Sequence, residues 1–398
     1  MSVARPGIML ALVREIRWIF RRKVVVFMTI IFPLLVFYIL TGVFGTGLPV
    51  GLPIADIDKD HSSLSRHMLR MVDASPDVAI TNQVDDIVAG RQLILEGKAY
   101  AIVLIPANLE RDVKAGRRPE VIFFYNNQFM TIGSIVSRAL NEALSTAAAE
   151  LAISTRLAHG QVQALAVSAV APIPVQQSAL FNPTLNYIYF LLASFIPTIL
   201  QIFVCATSAY TVGLDRYRIA GLGTLHRIGG SLGNALIGKT LPYTVIFFLT
   251  LTSADLYLFG RLDAPFRGHL AVLIASSVLF VASYQLIGIL FALVARDLAQ
   301  ALGIAGLYTA PSFGFVGISF PKAAMGWFAK AWSLQLPLNW YLEIRLDQTL
   351  RGASLEASAR PLTIQLMIAA LLTVLVVLRL EFLRRQRLAS LPGREARI

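Results

Sequence analysis

The sequence predicts an α-helical polytopic membrane protein, with six transmembrane helices and an inserted mixed α/β extracytoplasmic domain. Three observations predict it. Of 398 residues, 56% are hydrophobic and 15% charged, where a soluble domain carries about 25% charged residues. The apolar residues fall in long blocks of bilayer-spanning length. Between the first and second blocks lie about 140 residues, enough for an independent core, in which short β-rich runs alternate with helical ones.

Residues 1–23 open the chain as a cytoplasmic amphipathic helix. Met9, Leu12, Val13, Ile16, Ile19 and Phe20 recur at helical spacing, with Arg14, Arg17 and Arg21 between them and Trp18 at the boundary. That pattern places a helix in the bilayer interface, basic face toward anionic headgroups; the plainer alternative is a positive flank for the first span. Residues 24–43 span the bilayer, with Pro33 expected to kink the helix. This run exceeds the roughly 7–15 apolar residues of a signal peptide.

Residues 48–186 form the α/β domain. Strands are predicted over 50–57, 78–81, 100–105 and 121–125, and helices over 63–72, 84–95, 109–114 and 131–157. Residues 169–183, with three prolines, read as extended. Five further spans lie within 187–380, over 187–212, 241–259, 270–295, 298–318 and 362–380. Arg296-Asp297 belongs in a tight loop, because a charge at a span centre costs about 2.5–3.5 kcal/mol. An inner loop occupies 213–240 and a basic cytoplasmic tail 381–398; the outer region 319–345 reads equally as a short re-entrant or interfacial helix pair and as an ordinary outer loop with an aromatic belt.

Basic residues set the orientation. Arg5, Arg14, Arg17, Arg21, Arg22 and Lys23 precede the first span; Arg384, Arg385, Arg387, Arg394 and Arg397 come after the last. An even number of spans with both ends basic puts both termini in the cytoplasm. The long outer loop with Lys322, Lys330, Arg345, Arg351 and Arg360 runs against this but also carries Glu343, Asp347 and Glu356. The net charge of +12 tracks the span flanks rather than an aromatic-interleaved groove, so nucleic acid is excluded as a partner and the lipid bilayer expected. The single Cys205 excludes an intrachain disulfide and a cysteine metal site.

Gly233, Gly238, Lys239 and Thr240 satisfy the phosphate-loop pattern G-x-x-x-x-G-K-[ST]. The mechanism needs a buried strand before it, a helix after it and an acid to hold magnesium. Residues 226–232 are not strand-like, and a membrane span begins directly after Thr240, so the match is read as chance, with no cofactor bound by this chain. Asp56, Asp58 and Asp60, with His61 and His67, start like a calcium loop but lack the glycine at its sixth position and the acid at its twelfth. No metal site is assigned. Asp255, within the third span, is the intramembrane polar candidate; near the outer end, it equally suits a residue reaching the interface. No Ser/His/Asp or Cys/His set appears, which argues against a hydrolase.

Nearly the whole chain resembles the permease subunit of type-2 ABC exporters, the branch with a large extracytoplasmic domain after the first span. The resemblance rests on Ile54 to Asp58, Asp60 to Arg66, Gly97 to Pro106, Asn182-Pro183, Phe320-Pro321 and Leu336-Pro337-Leu338. It implies a separate ATPase partner that holds the ATP and magnesium, no enzymatic activity in this chain, and a pore built from two copies or from this chain and a paralogue. It further implies export or efflux across a bacterial inner membrane, with an adaptor protein in relatives encoded beside one. The inner loop would hold an ATPase-coupling surface, here Asp215, Arg216, Arg218, Gly223, Thr224, His226 and Arg227, although it has fewer carboxylates than the family pattern. Gly238, Lys239, Pro242 and Tyr243 match the family's span-entry motif, and Phe320, Pro321, Trp327, Pro337 and Glu343 its outer re-entrant region. Two other readings stand beside this one. A non-transporting scaffold or receptor with a ligand-binding outer domain would not need the span-entry motif. An ion-driven secondary transporter would want several ionisable mid-membrane residues and an inverted repeat.

Overall fold

The computed structural model describes residues 6–45, 47, 49–158, 160–165, 180–183, 185–217 and 222–389. Expectations resting on Arg5, Arg218, Arg394 and Arg397, and on most of 169–183, fall outside those residues. The chain divides into two compact units, Met1–Gly47 with Asn186–Ile398, and Leu48–Leu185.

The chain opens on α1 (Ile8–Arg21) and α2 (Lys23–Phe44). Residues Phe27–Ile31 of α2 are wound as a π-helix. The irregular turn lies where Pro33 cannot donate to the carbonyl of Thr29, four residues earlier.

The α/β unit runs β1 (Leu52–Asp58), α3 (Ser63–Asp73), β2 (Val78–Gln83), α4 (Ile87–Leu95), β3 (Ala101–Ile105), α5 (Leu109–Lys114), β4 (Ile122–Tyr125) and α6 (Met130–Ala158). The sheet order is β2-β1-β3-β4, with β1 parallel to β2 and β3, and β4 antiparallel to β3. Alternation along the strands sends side chains to both faces. Ile54, Ala101 and Val103 pack on Val72 of α3 and Leu140 of α6, while Ala55, Ile57 and Ile102 pack on Leu93 and Ile94 of α4. Ser62 and Asp86 cap α3 and α4 by accepting backbone N–H groups three residues on.

The helical unit continues with α7 (Ile188–Arg216), α8 (Leu222–Gly229), α9 (Leu232–Gly260), α10 (Leu270–Val294), α11 (Leu298–Thr309), α12 (Ser312–Phe315), α13 (Trp327–Gln335), α14 (Pro337–Leu346) and α15 (Leu355–Ala389). Its core joins Val204 of α7, Phe247 of α9, Phe280 and Tyr284 of α10 and Tyr341 of α14. Among the described residues, five helices are long and apolar enough to cross a membrane: α2, α7, α9, α10 and most of α15. The stretch 298–318, expected as one span, is instead two helices. The 12 residues of α11 reach only about 18 Å at 1.5 Å per residue. Pro311 then removes the N–H that would continue the ladder.

One further boundary differs from the sequence expectation. The predicted inner loop 213–240 is mostly helix: its first residues end α7, its centre forms α8, and its last turns begin α9. The region 319–345 folds as the short pair α13 and α14, with unequal surroundings. Trp327 on α13 is 82% exposed, whereas Leu338, Tyr341 and Leu342 on α14 are buried. Lys322 donates to Glu343 at 3.1 Å, closing this region on itself, with Phe320 exposed and Pro321 just before the turn.

Candidate functional site

The inner-loop residues lead to a buried cluster of charge. Lys239 lies two turns into α9, and its Nζ donates to both Glu15 carboxylate oxygens at 3.0 Å. The same ammonium is 2.9 Å from Asp215 Oδ2, in an ion pair with the last turn of α7. Arg14 donates to the other Asp215 oxygen at 3.0 Å, and the Tyr243 hydroxyl to Glu15 at 2.9 Å. The Trp18 ring lies under Lys239 at 5.5 Å and Arg22 at 5.7 Å. Two carboxylates face two cations, so the quartet is neutral. Glu15, Asp215 and Lys239 are buried, and Arg14 is the member in partial contact with the surroundings.

Local sequence explains why these groups meet. On α1, Ala11, Glu15 and Ile19 recur every four residues and form the buried stripe. Met9, Ile16 and Phe20 of the expected apolar face remain exposed, so α1 turns a mixed stripe to the protein and its apolar side outward. Gly238 permits the approach: a β-carbon there would come within 2.4 Å of the Ile8 carbonyl oxygen and 2.7 Å of the Ala11 side chain. Each part of the Gly-Lys-x-x-Pro-Tyr string thus has a local role. Glycine admits α1, lysine neutralises Glu15 and Asp215, and tyrosine donates to Glu15. Pro242 lies inside α9, where it leaves the Gly238 carbonyl without its usual donor.

The phosphate-loop string is entirely helical, from Gly233 to Thr240 within α9. Its lysine is committed to two carboxylates, and the Thr240 hydroxyl donates to Leu236 O at 2.9 Å. A phosphate cradle needs backbone N–H groups turned toward one point, which an interior helical stretch does not offer.

The other expected coupling residues fall on different structures. Asp215 is not on a loop surface but 6% exposed at the end of α7. Arg216 donates to the Ala292 carbonyl, and the Tyr217 hydroxyl to the Ala295 carbonyl at 2.7 Å. Arg379 of α15 donates to the Leu293 carbonyl at 3.0 Å. These donors satisfy orphan carbonyls at the C-terminal end of α10, and the two arginines oppose its negative dipole end. Arg216 is therefore a helix cap from a neighbouring element. Gly223 and Thr224 are half-buried on α8, and His226 and Arg227 are exposed there. Leu225 is buried, and the Gly7 N–H donates to Ile228 O at 3.0 Å, which holds α8 against the start of the chain.

Asp255 is in a second buried cluster. Arg345 of α14 donates to both Asp255 oxygens, one at 3.0 Å, to the Tyr341 hydroxyl at 3.1 Å and to the Ala193 carbonyl at 2.8 Å. Arg345 is 0% exposed. Asp255 is thus the counter-ion that lets α14 bury an arginine. In the α/β unit, Asp58 accepts from the backbone N–H groups of Asp60 and His61 and from the Ser65 hydroxyl, and Asp60 accepts from Glu110 N. These oxygens are engaged in turns and helix starts. Burial raises the Asp56 carboxyl above its ordinary pKa.

Sequence reasoning missed Glu15 and Arg345. The signal for Glu15 was present: it is the only acid before Asp56 and stands among arginines. For Arg345 the signal was Asp255 itself, since a buried carboxylate requires a cation nearby.

A comparison with curated proteins and one with solved structures found no match. Residues 23–378 match the model of the ABC-2 family transporter proteins, and the chain belongs to that family.

Proposed function

We propose that this chain is the membrane-spanning permease subunit of an ATP-driven exporter, moving substrate outward across a bacterial inner membrane with hydrolysis on a separate ABC ATPase. Membership of the ABC-2 family supports the permease role. The observation that carries the coupling is the quartet of Glu15, Lys239, Asp215 and Arg14. It joins α1 to the two helices that flank α8. A displacement of α8 by an ATPase would therefore reach α1, α7 and α9 together, as a rigid-body movement. The exposed His226 and Arg227 present a basic ridge for an acidic docking surface.

In this reading α11 and α12 together make a broken fifth span, which brings the number to six, of a kind tolerated where protein covers the interrupted backbone. Both basic ends then lie in the cytoplasm, and the α/β unit lies outside. ATP and magnesium stay on the partner, and this chain binds no cofactor. A second copy or a paralogue completes the pore, and the outer unit is where an adaptor would dock. The secondary-transporter reading loses its one candidate, because Asp255 is neutralised by Arg345.

The purified chain should hydrolyse no ATP and should form a stable complex with its cognate ATPase. Hydrolysis by the isolated chain, abolished by Lys239→Ala, would overturn this reading.

A further inference from the structure

The α/β unit carries an open trough of about 720 Å³, within the roughly 300–1,000 Å³ of ligand sites. Its floor is apolar and belongs to a packed core. Met68, Leu109 and Ala147 are buried together, with Val121 and Leu144 against them, and Phe123 extends the floor along β4. Because these side chains come from α3, α5, α6 and β4, the floor is held by the fold and does not depend on a loop. The stretch of α6 from Asn141 to Arg156 forms the long wall, about 24 Å at 1.5 Å per residue, with Asn141, Ser145 and Thr155 as its polar positions.

The rim differs sharply from the floor. Arg117 and Arg118 come after Gly116, whose φ of 75° turns the chain at the end of α5, and Arg156 stands on the last turns of α6. Arg117 keeps Asp112 at 3.3 Å. Arg118 and Arg156 have no carboxylate partner among the described residues, and no acid lines the trough. Two cations without a carboxylate partner, Arg118 and Arg156, with Arg117 beside them on Asp112, stand above an apolar floor and make a complementary surface for a molecule with an anionic head and an apolar tail. A neutral apolar partner would leave the guanidinium groups desolvated, and an inorganic anion would leave the floor wet.

We propose that this trough binds a single-chain anionic amphiphile. Its tail lies on the floor around Phe123 and Leu144, and its carboxylate or phosphate head sits at Arg117, Arg118 and Arg156. The site is separate from the coupling reading and does not require it.

The test uses the full-length chain in lipid nanodiscs, without ATPase, and a long-chain fatty acid carrying a diazirine on its tail. After photolysis, adducts are mapped by peptide mass spectrometry. The expected adducts fall in 109–123 and 144–156, and the Arg117→Ser/Arg118→Ser/Arg156→Ser variant lowers them about tenfold, the loss of one charge-assisted hydrogen bond. Labelling of the membrane spans stays constant and reports that the variant is folded and reconstituted. Laurate and dodecyl phosphate both compete, the tighter one identifying the head group, while inorganic phosphate does not compete. The proposal is overturned if adducts are confined to the spans, if the triple variant labels equally, if a neutral diazirine alcohol labels the trough as well as the acid, or if inorganic phosphate displaces the probe.

Discussion

The two buried ion systems of the helical unit solve one problem in different ways. The Asp255–Arg345 pair is closed: Arg345 is fully buried and spends its donors on one carboxylate, one hydroxyl and one backbone carbonyl. The Glu15–Lys239–Asp215–Arg14 quartet is open at one end, since the Arg14 side chain is 27% exposed. The first pins α14 to α7 and α9, and little can reach it. The second joins three elements around a short helix exposed at His226 and Arg227. A buried pair gains little over a well-packed apolar substitute, yet losing one partner leaves an uncompensated charge. The two sites should therefore respond alike to losing one charge inside and differently to change at the rim.

Breaking the closed pair should have the largest effect. Arg345→Met strands Asp255 and should cost about 3–5 kcal/mol, seen as lost folded yield and a lowered melting temperature. Adding Asp255→Leu should recover most of it. Lys239→Met strands two carboxylates with one half-exposed arginine, and a loss of about 3 kcal/mol is expected. Gly238→Ala sharpens the comparison by geometry alone. Its β-carbon meets the Ile8 carbonyl oxygen at 2.4 Å, and overpacking of this kind costs about 1–3 kcal/mol. Cysteine cross-linking between α1 and α9 should weaken in that variant. Arg14→Ala should cost about 1–3 kcal/mol, less than Lys239→Met, because Asp215 is buried but keeps Lys239, while lowering ATPase stimulation in the assembled complex. Smallest of all for stability is His226→Ala/Arg227→Ala, within about 0.5 kcal/mol. It should nonetheless weaken the complex with the ATPase, measured by co-purification.

The α/β unit was legible element by element, with boundaries within three residues of those observed. Its strands alternate with helices, two of those helices carry Ser62 and Asp86 as caps, and Leu109–Lys114 is helical as expected. The spans were less legible where apolarity and helix length part company. Val212 ends the apolar run, but the helix continues through Asp215 because that carboxylate has two cations to meet. The opposite holds at 298–318, which is apolar throughout yet interrupted at Pro311. The quartet itself was half legible. Lys239, Pro242 and Tyr243 were singled out as a span entry, but their partner Glu15 lies more than two hundred residues away. Hydrophobic periodicity on α1 points to the exposed face, and so conceals the buried one.

If Lys239 works through Glu15 and not through a nucleotide, the two residues must be energetically coupled. A double-mutant cycle with Glu15→Gln and Lys239→Met, read as unfolding free energy in one bilayer mimic, tests it most directly. Contacting residues couple by about 0.5–3 kcal/mol, and the buried geometry predicts a value in the upper half of that range, with neither variant changing ATP binding by the isolated chain. Additive effects, or ATP binding lost in Lys239→Met alone, would contradict it.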